Sequence, residues 1–175
     1  MKFLLMVLYC FFAMIMTGVC QAEEMVNTPR PALDLTSAAD KGQWRVQLSP
    51  YAYHFSYSPE HKPVYLLGVE REEPDQSVVG MVFFSNSFGQ PSLFIYPWGG
   101  VTRDLLGVDG LYFKWSAGLM YGYKGKYQDK VPFNYKGLNP AIVPALGYQI
   151  NKKLDVQVDA LGAAGVMLQA SYRVF

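Results

Sequence analysis

From Leu111 to Tyr123 the residues alternate in character, and this alternation constrains the chain more than any other feature. Leu111, Phe113, Trp115, Ala117, Leu119, Tyr121 and Tyr123 interleave with Tyr112, Lys114, Ser116, Gly118, Met120 and Gly122. A period of two places these sets on opposite faces of an extended strand. One face suits hydrocarbon, and the other suits a narrow, partly polar interior. Segment 154–161 repeats the pattern, with Leu154, Val156, Val158 and Ala160 against Asp155, Gln157 and Asp159. The last segment sets Val166, Leu168, Ala170, Tyr172 and Val174 against Met167, Gln169, Ser171 and Arg173. Apolar side chains outward and polar ones inward is the signature of a transmembrane β-barrel.

Counting such segments predicts eight strands, near 44–57, 63–73, 78–86, 91–99, 110–123, 140–150, 153–161 and 164–175. The expected fold is therefore an all-β, eight-stranded antiparallel transmembrane barrel of the outer-membrane type. Residues 23–43 precede it as a polar, proline-containing segment with at most a short helix over Asp34–Asp40. Turn formers at Pro74-Asp75-Gln76-Ser77, Asn151-Lys152-Lys153 and Gly162 to Gly165 separate the strands. An even count with both termini on one side puts the Gly- and Lys-rich stretch Lys124 to Asn139 at the opposite, outer end. The first strand changes phase. Trp44, Val46 and Leu48 are apolar at even positions, whereas Tyr51, Tyr53, Phe55 and Tyr57 are apolar at odd ones. A one-residue bulge at Pro50 restores a single outward face, and proline is tolerated there because it has no donor to lose.

The N-terminus agrees with export. Met1-Lys2, the apolar run Phe3 to Met16 and the small residues before Glu23 have the order of a secretory signal peptide, cleaved after Ala22. The competing reading makes Cys20 a lipidated residue, which Val19 fits poorly. The two cysteines, Cys10 and Cys20, both fall within the expected signal, so the mature chain has no thiol for a disulfide, a metal or catalysis. No cofactor or metal is expected. The charge balance, 15 Lys and Arg against 14 Asp and Glu, leaves no footprint for nucleic acid. The expected address is the Gram-negative outer membrane, with its lipid and its barrel-assembly machinery as partners. A terminal Phe175 fits such an assembly substrate, although Arg173 stands where an apolar residue is usual.

Topology brings two distant places to one level. The first strand runs outward and puts His54 near its outer end, on the inward face with Ala52 and Ser56, and the third delivers Asn86 and Ser87 to the same rim. A serine hydroxyl beside an imidazole is the minimum needed to attack an ester. The plain alternative is that Asn86-Ser87-Phe88-Gly89-Gln90-Pro91 is simply a turn and His54 a hydrogen-bonded lumen residue. His61 reads as a solvated loop residue, with a role as the base its minor alternative. The acidic run Glu70-Arg71-Glu72-Glu73 reads as a solvated rim.

At these residues the sequence resembles the lipid A palmitoyltransferase (PagP-like) family. The resemblance rests on Pro50-Tyr51-Ala52-Tyr53-His54, Phe84-Ser85-Asn86-Ser87-Phe88 and Tyr96-Pro97-Trp98. Ser116-Ala117-Gly118 and Pro140, Pro144 and Gly147-Tyr148 extend it along the barrel. It implies transfer of a fatty-acyl chain from a phospholipid donor to a lipid A acceptor. His54 would be the base, Ser87 the acyl-accepting or positioning hydroxyl, and Asn86 the polar partner. It further implies lipid access through proline-marked gaps, with Pro50 and Pro63 at one and Pro144 at another, and an acyl pocket at Pro97. Two residues depart from the family's pattern: Asn86 replaces an acid, and Pro97 replaces the glycine that floors the pocket. A non-enzymatic barrel serving envelope integrity or as a surface receptor, a lipid A deacylase and a lipid or small-molecule transporter remain alternatives, the last opposed by bulky inward Tyr112, Lys114 and Met120.

Overall fold

The structure, a computed structural model, describes residues 42–174. The expectations for the signal peptide, the N-terminal segment and Phe175 lie outside those residues. Eight strands follow in order: β1 Gln43–His54, β2 Leu66–Glu72, β3 Val78–Ser85, β4 Pro91–Arg103, β5 Leu111–Tyr121, β6 Leu138–Gln149, β7 Leu154–Ala160 and β8 Gly165–Arg173. Each pairs antiparallel with its neighbours, and β1 pairs with β8, closing the barrel. Closure leaves none of these strands with a whole edge unpaired. Short turns (73–77, 104–110, 150–153) lie at one end, the turn end. Loop 1 (55–65), loop 2 (86–90), loop 3 (122–137) and loop 4 (161–164) lie at the other, the loop end.

The alternation sorts the side chains as expected. On β5, Tyr112, Lys114, Ser116 and Gly118 are buried, whereas Trp115, Leu119 and Tyr121 are exposed. On β7, Asp155, Gln157 and Asp159 are the buried set. The outside is accordingly apolar, with Tyr51, Leu67, Phe83, Ile142 and Leu168 each more than half exposed. An apolar belt this extensive signals a non-aqueous environment or a partner.

The bulge expected at Pro50 is present. Between Leu48↔Ala170 and Tyr51↔Leu168 the first strand advances three residues while β8 advances two. Ser49 Oγ donates to the Leu168 carbonyl at 2.6 Å within the irregularity. Leu48 and Tyr51 then both face outward, and Ala52 faces inward. A second bulge lies on β4 between Ile95 and Trp98, around Pro97. The strand runs on to Arg103, beyond the expected end at residue 99. Gly99 and Gly100 remain paired with Ser116 and Trp115. Gly99 is needed there because a Cβ would come within 2.5 Å of Val78 Cγ2.

The interior is divided along its axis. The half nearer the turn end holds charge. Arg45 pairs with Glu72 and Asp155, Arg103 places Nη2 2.6 Å from Glu72, and Lys114 Nζ lies 2.9 Å from Glu70. Gln47 and Tyr96 each donate to Glu70 at 2.9 Å. Glu70 and Glu72 are therefore not a solvated rim: register turns both inward, at 2% and 8% exposure. Buried charges persist only when paired and hydrogen-bonded. The half nearer the loop end is mostly apolar, built from Ala52, Val64, Leu66, Val82, Phe94 and Met167, with Ser92 and Asn139 also buried there. Tyr96 joins the two halves, its ring beside Phe94 and its hydroxyl on Glu70. Lys114→Met, which leaves Glu70 without its cation, is expected to lower stability by about 3 kcal/mol. Adding Glu70→Gln should recover most of that loss, as urea unfolding of the refolded barrel would measure.

Candidate functional site

β1 carries His54 to the loop end as its last residue, opposite Gly165 of β8. β3 and β4 are joined there by loop 2, a tight hairpin. Asn86 N donates to the Gln90 carbonyl at 2.9 Å, Gly89 N donates to the Asn86 carbonyl at 2.8 Å, and Gly89 has φ of 74°. A three-residue loop with glycine in the left-handed position is a favoured hairpin geometry. The turn formers thus build a turn and also place Ser87 at its first corner. From there Ser87 Oγ lies 2.7 Å from His54 Nε2, although 33 positions separate the residues. The pair expected from strand direction is a direct hydrogen bond.

Asn86 has a different place from the one the resemblance implies. It is 1% exposed, and its Oδ1 accepts from the amides of Phe88 at 3.0 Å and Gln90 at 3.1 Å. Its Nδ2 donates to Gln90 Oε1. The carboxamide is spent on folding loop 2, so Asn86 holds Ser87 in position through the backbone.

The side chain beside the imidazole is His61. Its ring centroid lies 4.2 Å from that of His54, tilted by 32°, and 5.7 Å from the Phe88 ring. His61 is half-buried against the pair rather than free in solvent. Lys62 N donates to the Ser87 carbonyl at 2.8 Å, which docks loop 1 on loop 2. Phe88 in turn stacks on Tyr127 of loop 3 at 4.1 Å and meets Tyr123 edge-on at 6.1 Å. Glu60 and Lys126 tie loops 1 and 3 together. The Lys126 hydrogen bond holds the Glu60 carboxyl below its ordinary range. This tie is complete above the ordinary carboxylate pKa and is lost as pH falls through the lowered one. Both partners are solvated, so it contributes little stability.

The wall beside the site is incomplete in two places. Pairing of β1 with β2 runs from Gln43↔Glu72 to Ser49↔Leu66 and stops, so Tyr51 to His54 pair on the β8 side alone. Pro63, the expected start of the second strand, lies in loop 1, and β2 begins three residues later at Leu66. Pairing of β6 with β7 runs from Gln149↔Asp155 to Ala145↔Asp159 and stops at Pro144. Pro144 keeps its place opposite Trp115 on β5. A proline nitrogen cannot donate to a ladder, which suits both limits. Pro97, by contrast, is exposed on the outside of the β4 bulge, and Tyr96 is the inward residue at that level. The floor of the apolar half is therefore the Tyr96 ring. Gly80 leaves room for it, since a Cβ there would meet the Tyr96 hydroxyl at 2.3 Å.

No family model and no curated protein matches the chain. The site rests on its own geometry.

Asn86→Ala leaves two loop amides without an acceptor and is expected to cost about 1–3 kcal/mol. Asn86→Asp keeps both acceptor bonds, with Gln90 turning its amide, and should stay within about 1 kcal/mol of the parent. Urea unfolding separates the two outcomes.

Proposed function

We propose that this protein is an outer-membrane acyltransferase that moves a fatty-acyl chain from a phospholipid to lipid A. The observation that carries the reading is the 2.7 Å contact of His54 Nε2 with Ser87 Oγ at the loop end, above an apolar interior and beside the two unpaired stretches of wall. The apolar belt supports insertion in a membrane with the loops outside. The limits at Pro50 and Pro144 support sideways passage of lipid to the site.

The chemistry follows from the pair. His54 takes the Ser87 proton as Oγ attacks the donor's ester carbonyl. The tetrahedral intermediate collapses by breaking the ester C–O bond, and the imidazolium protonates the leaving glycerol oxygen, releasing a lysophospholipid. An acceptor hydroxyl then attacks the acyl-serine, with His54 taking its proton and returning it to Ser87. The acyl chain itself lies in the apolar half, displacing the side chains of Met120 and Met167 toward Tyr96. Its methylenes gain roughly 0.8 kcal/mol each on burial.

The charge of the loop end supports an anionic acceptor. Lys62, Lys124, Lys126, Lys130 and Lys136 are exposed there, against Glu60 and Asp129. Lys124 lies 5.0 Å above the Tyr121 ring at the rim, and Lys136 lies 5.3 Å above Tyr135. Lipid A carries phosphates at that level.

Mass spectra of lipid A from cells with and without the gene test the reading. A gain of one acyl mass is expected, lowered about a hundredfold or more by His54→Ala or Ser87→Ala. A loss of mass would assign a deacylase, and an unchanged spectrum would remove the enzymatic reading. Lys124→Glu with Lys136→Glu should raise the KM for the acceptor several-fold, more at low ionic strength, and leave kcat nearly unchanged.

A further inference from the structure

Among the described residues the His54 imidazole has one hydrogen bond, between Nε2 and Ser87 Oγ at 2.7 Å. A single bond at the tip of a ring leaves the ring plane undetermined, because the second torsion of a histidine side chain has broad minima. Loop 1 supplies the missing constraint as a second ring. The centroid of His61 lies 4.2 Å from that of His54, with the planes tilted by 32°. Two rings in one plane cannot bring their centres so close, so His61 lies over the face of His54. Imidazole nitrogens donate and accept in the ring plane. A contact on the face therefore holds His54 without competing for its proton.

His61 is itself held firmly. Around it loop 1 reads Ser58-Pro59-Glu60-His61-Lys62-Pro63. The two prolines fix their own φ and restrict the residues before them, which stiffens the segment. His61 N donates to the Ser58 carbonyl at 3.1 Å, and Glu60 N donates to Ser58 Oγ at 3.3 Å. Lys62 N donates to the Ser87 carbonyl at 2.8 Å, so the residue after His61 is docked on the residue that faces His54. The Lys62 stem also reaches loop 2, where a Cβ on Gly89 would come within 3.3 Å of its Cγ. Behind the His61 ring, Phe88 makes an edge contact at 5.7 Å, and Tyr127 stacks on Phe88 at 4.1 Å. Four rings thus form one column, from loop 3 through loops 2 and 1 to the last residue of β1. All four are half-buried, whereas Tyr57, Phe133 and Tyr135 on the same loops are exposed.

We propose that His61 is a positioning residue whose ring, backed by Phe88, fixes the plane of the His54 imidazole and so keeps Nε2 on Ser87. Loop 2 places the hydroxyl of the pair, and loop 1 places the imidazole. The role belongs to the flat face of His61 and not to its proton. A planar ring without nitrogen can therefore take it over, and a branched aliphatic side chain cannot.

The inference rests on the acyltransfer reading for its purpose, but its first test does not depend on that reading. In the full chain folded in micelles, the 15N resonance of His54 Nε2 reports its hydrogen bond with Ser87, and Ser87→Ala defines the position without it. Spectra taken above the titration of both imidazoles remove the effect of charge. His61→Leu is expected to move the resonance at least half of the way to the Ser87→Ala position, and to add no further shift in the Ser87→Ala background. His61→Phe, which keeps a flat ring, is expected to leave it closer to the parent position. A smaller movement in His61→Leu overturns the proposal, as does a His61→Phe movement equal to it or a His61→Leu shift that persists without the Ser87 hydroxyl. In the lipid A assay, His61→Leu should lower kcat by roughly tenfold or more with little change in KM, and His61→Phe should recover most of that loss. The expected resonances in a protein that transfers no acyl chain would uphold the positioning role and remove the acyltransfer reading.

Discussion

Pro50 adds one residue to β1 that β8 does not match, and the site depends on that single unmatched residue. Before it, Arg45, Gln47 and Ser49 face inward at odd positions; after it, Ala52 and His54 face inward at even ones. Without the bulge, His54 would share the outward face with Trp44 and Leu48, because a one-residue slip exchanges the two faces of a strand. The proline that makes the slip also withholds a donor on the side of β2, where pairing ends at Ser49↔Leu66. One residue thus turns the imidazole inward and leaves the wall beside it unpaired.

The interior is organised around the same boundary. Toward the turn end, the ladders run paired on both sides of β1 and β6, and the lumen is crossed by ion pairs among Arg45, Glu70, Glu72, Arg103, Lys114 and Asp155. Toward the loop end, two ladders stop short and the lumen is mostly apolar. These properties belong together. A charged network needs a rigid, fully paired frame, since a half-satisfied buried charge is costlier than none. An apolar filling tolerates a loosened frame because dispersion contacts have no fixed direction. Tyr96 can serve both halves because its ring and its hydroxyl have opposite requirements.

Much of this was legible in the sequence because a strand in a barrel carries its own record of inside and outside. Lys114, Asp155, Gln157 and Asp159 could be assigned inward from period alone, and the phase flip located the bulge at Pro50. Chain direction brought His54 and Ser87 to one rim. Reading failed where the physics is not periodic. Gly99 and Gly100 look like punctuation, yet they keep β4 in its ladder because Val78 and Trp115 fill the space of their side chains. Glu70 and Glu72 look like a solvated rim, because sequence shows a run of charge but not the cations that β1, β4 and β5 bring to it. His61 and Tyr123 lie in loops, where their partners are set by how three loops dock on one another.

The replacement of an expected acid by Asn86 reads differently in this light. In a triad the carboxylate holds the imidazole in one tautomer and steadies the charge that forms on it. Asn86 does neither, since its amide is used by Phe88 and Gln90. The constraint is instead applied at the other end of the hydrogen bond, on Ser87, by the loop that Asn86 folds. When the Ser87 hydroxyl donates, the facing imidazole nitrogen is the acceptor, and no carboxylate takes part in that choice. The charge of a transient imidazolium is left to the neighbouring rings, and His61 at 4.2 Å disfavours a second positive charge beside it. The arrangement therefore favours a neutral, correctly oriented base over a stabilised imidazolium. That choice suits a site above an apolar interior, where forming an ion is costly and orientation is the less expensive means of activating a hydroxyl.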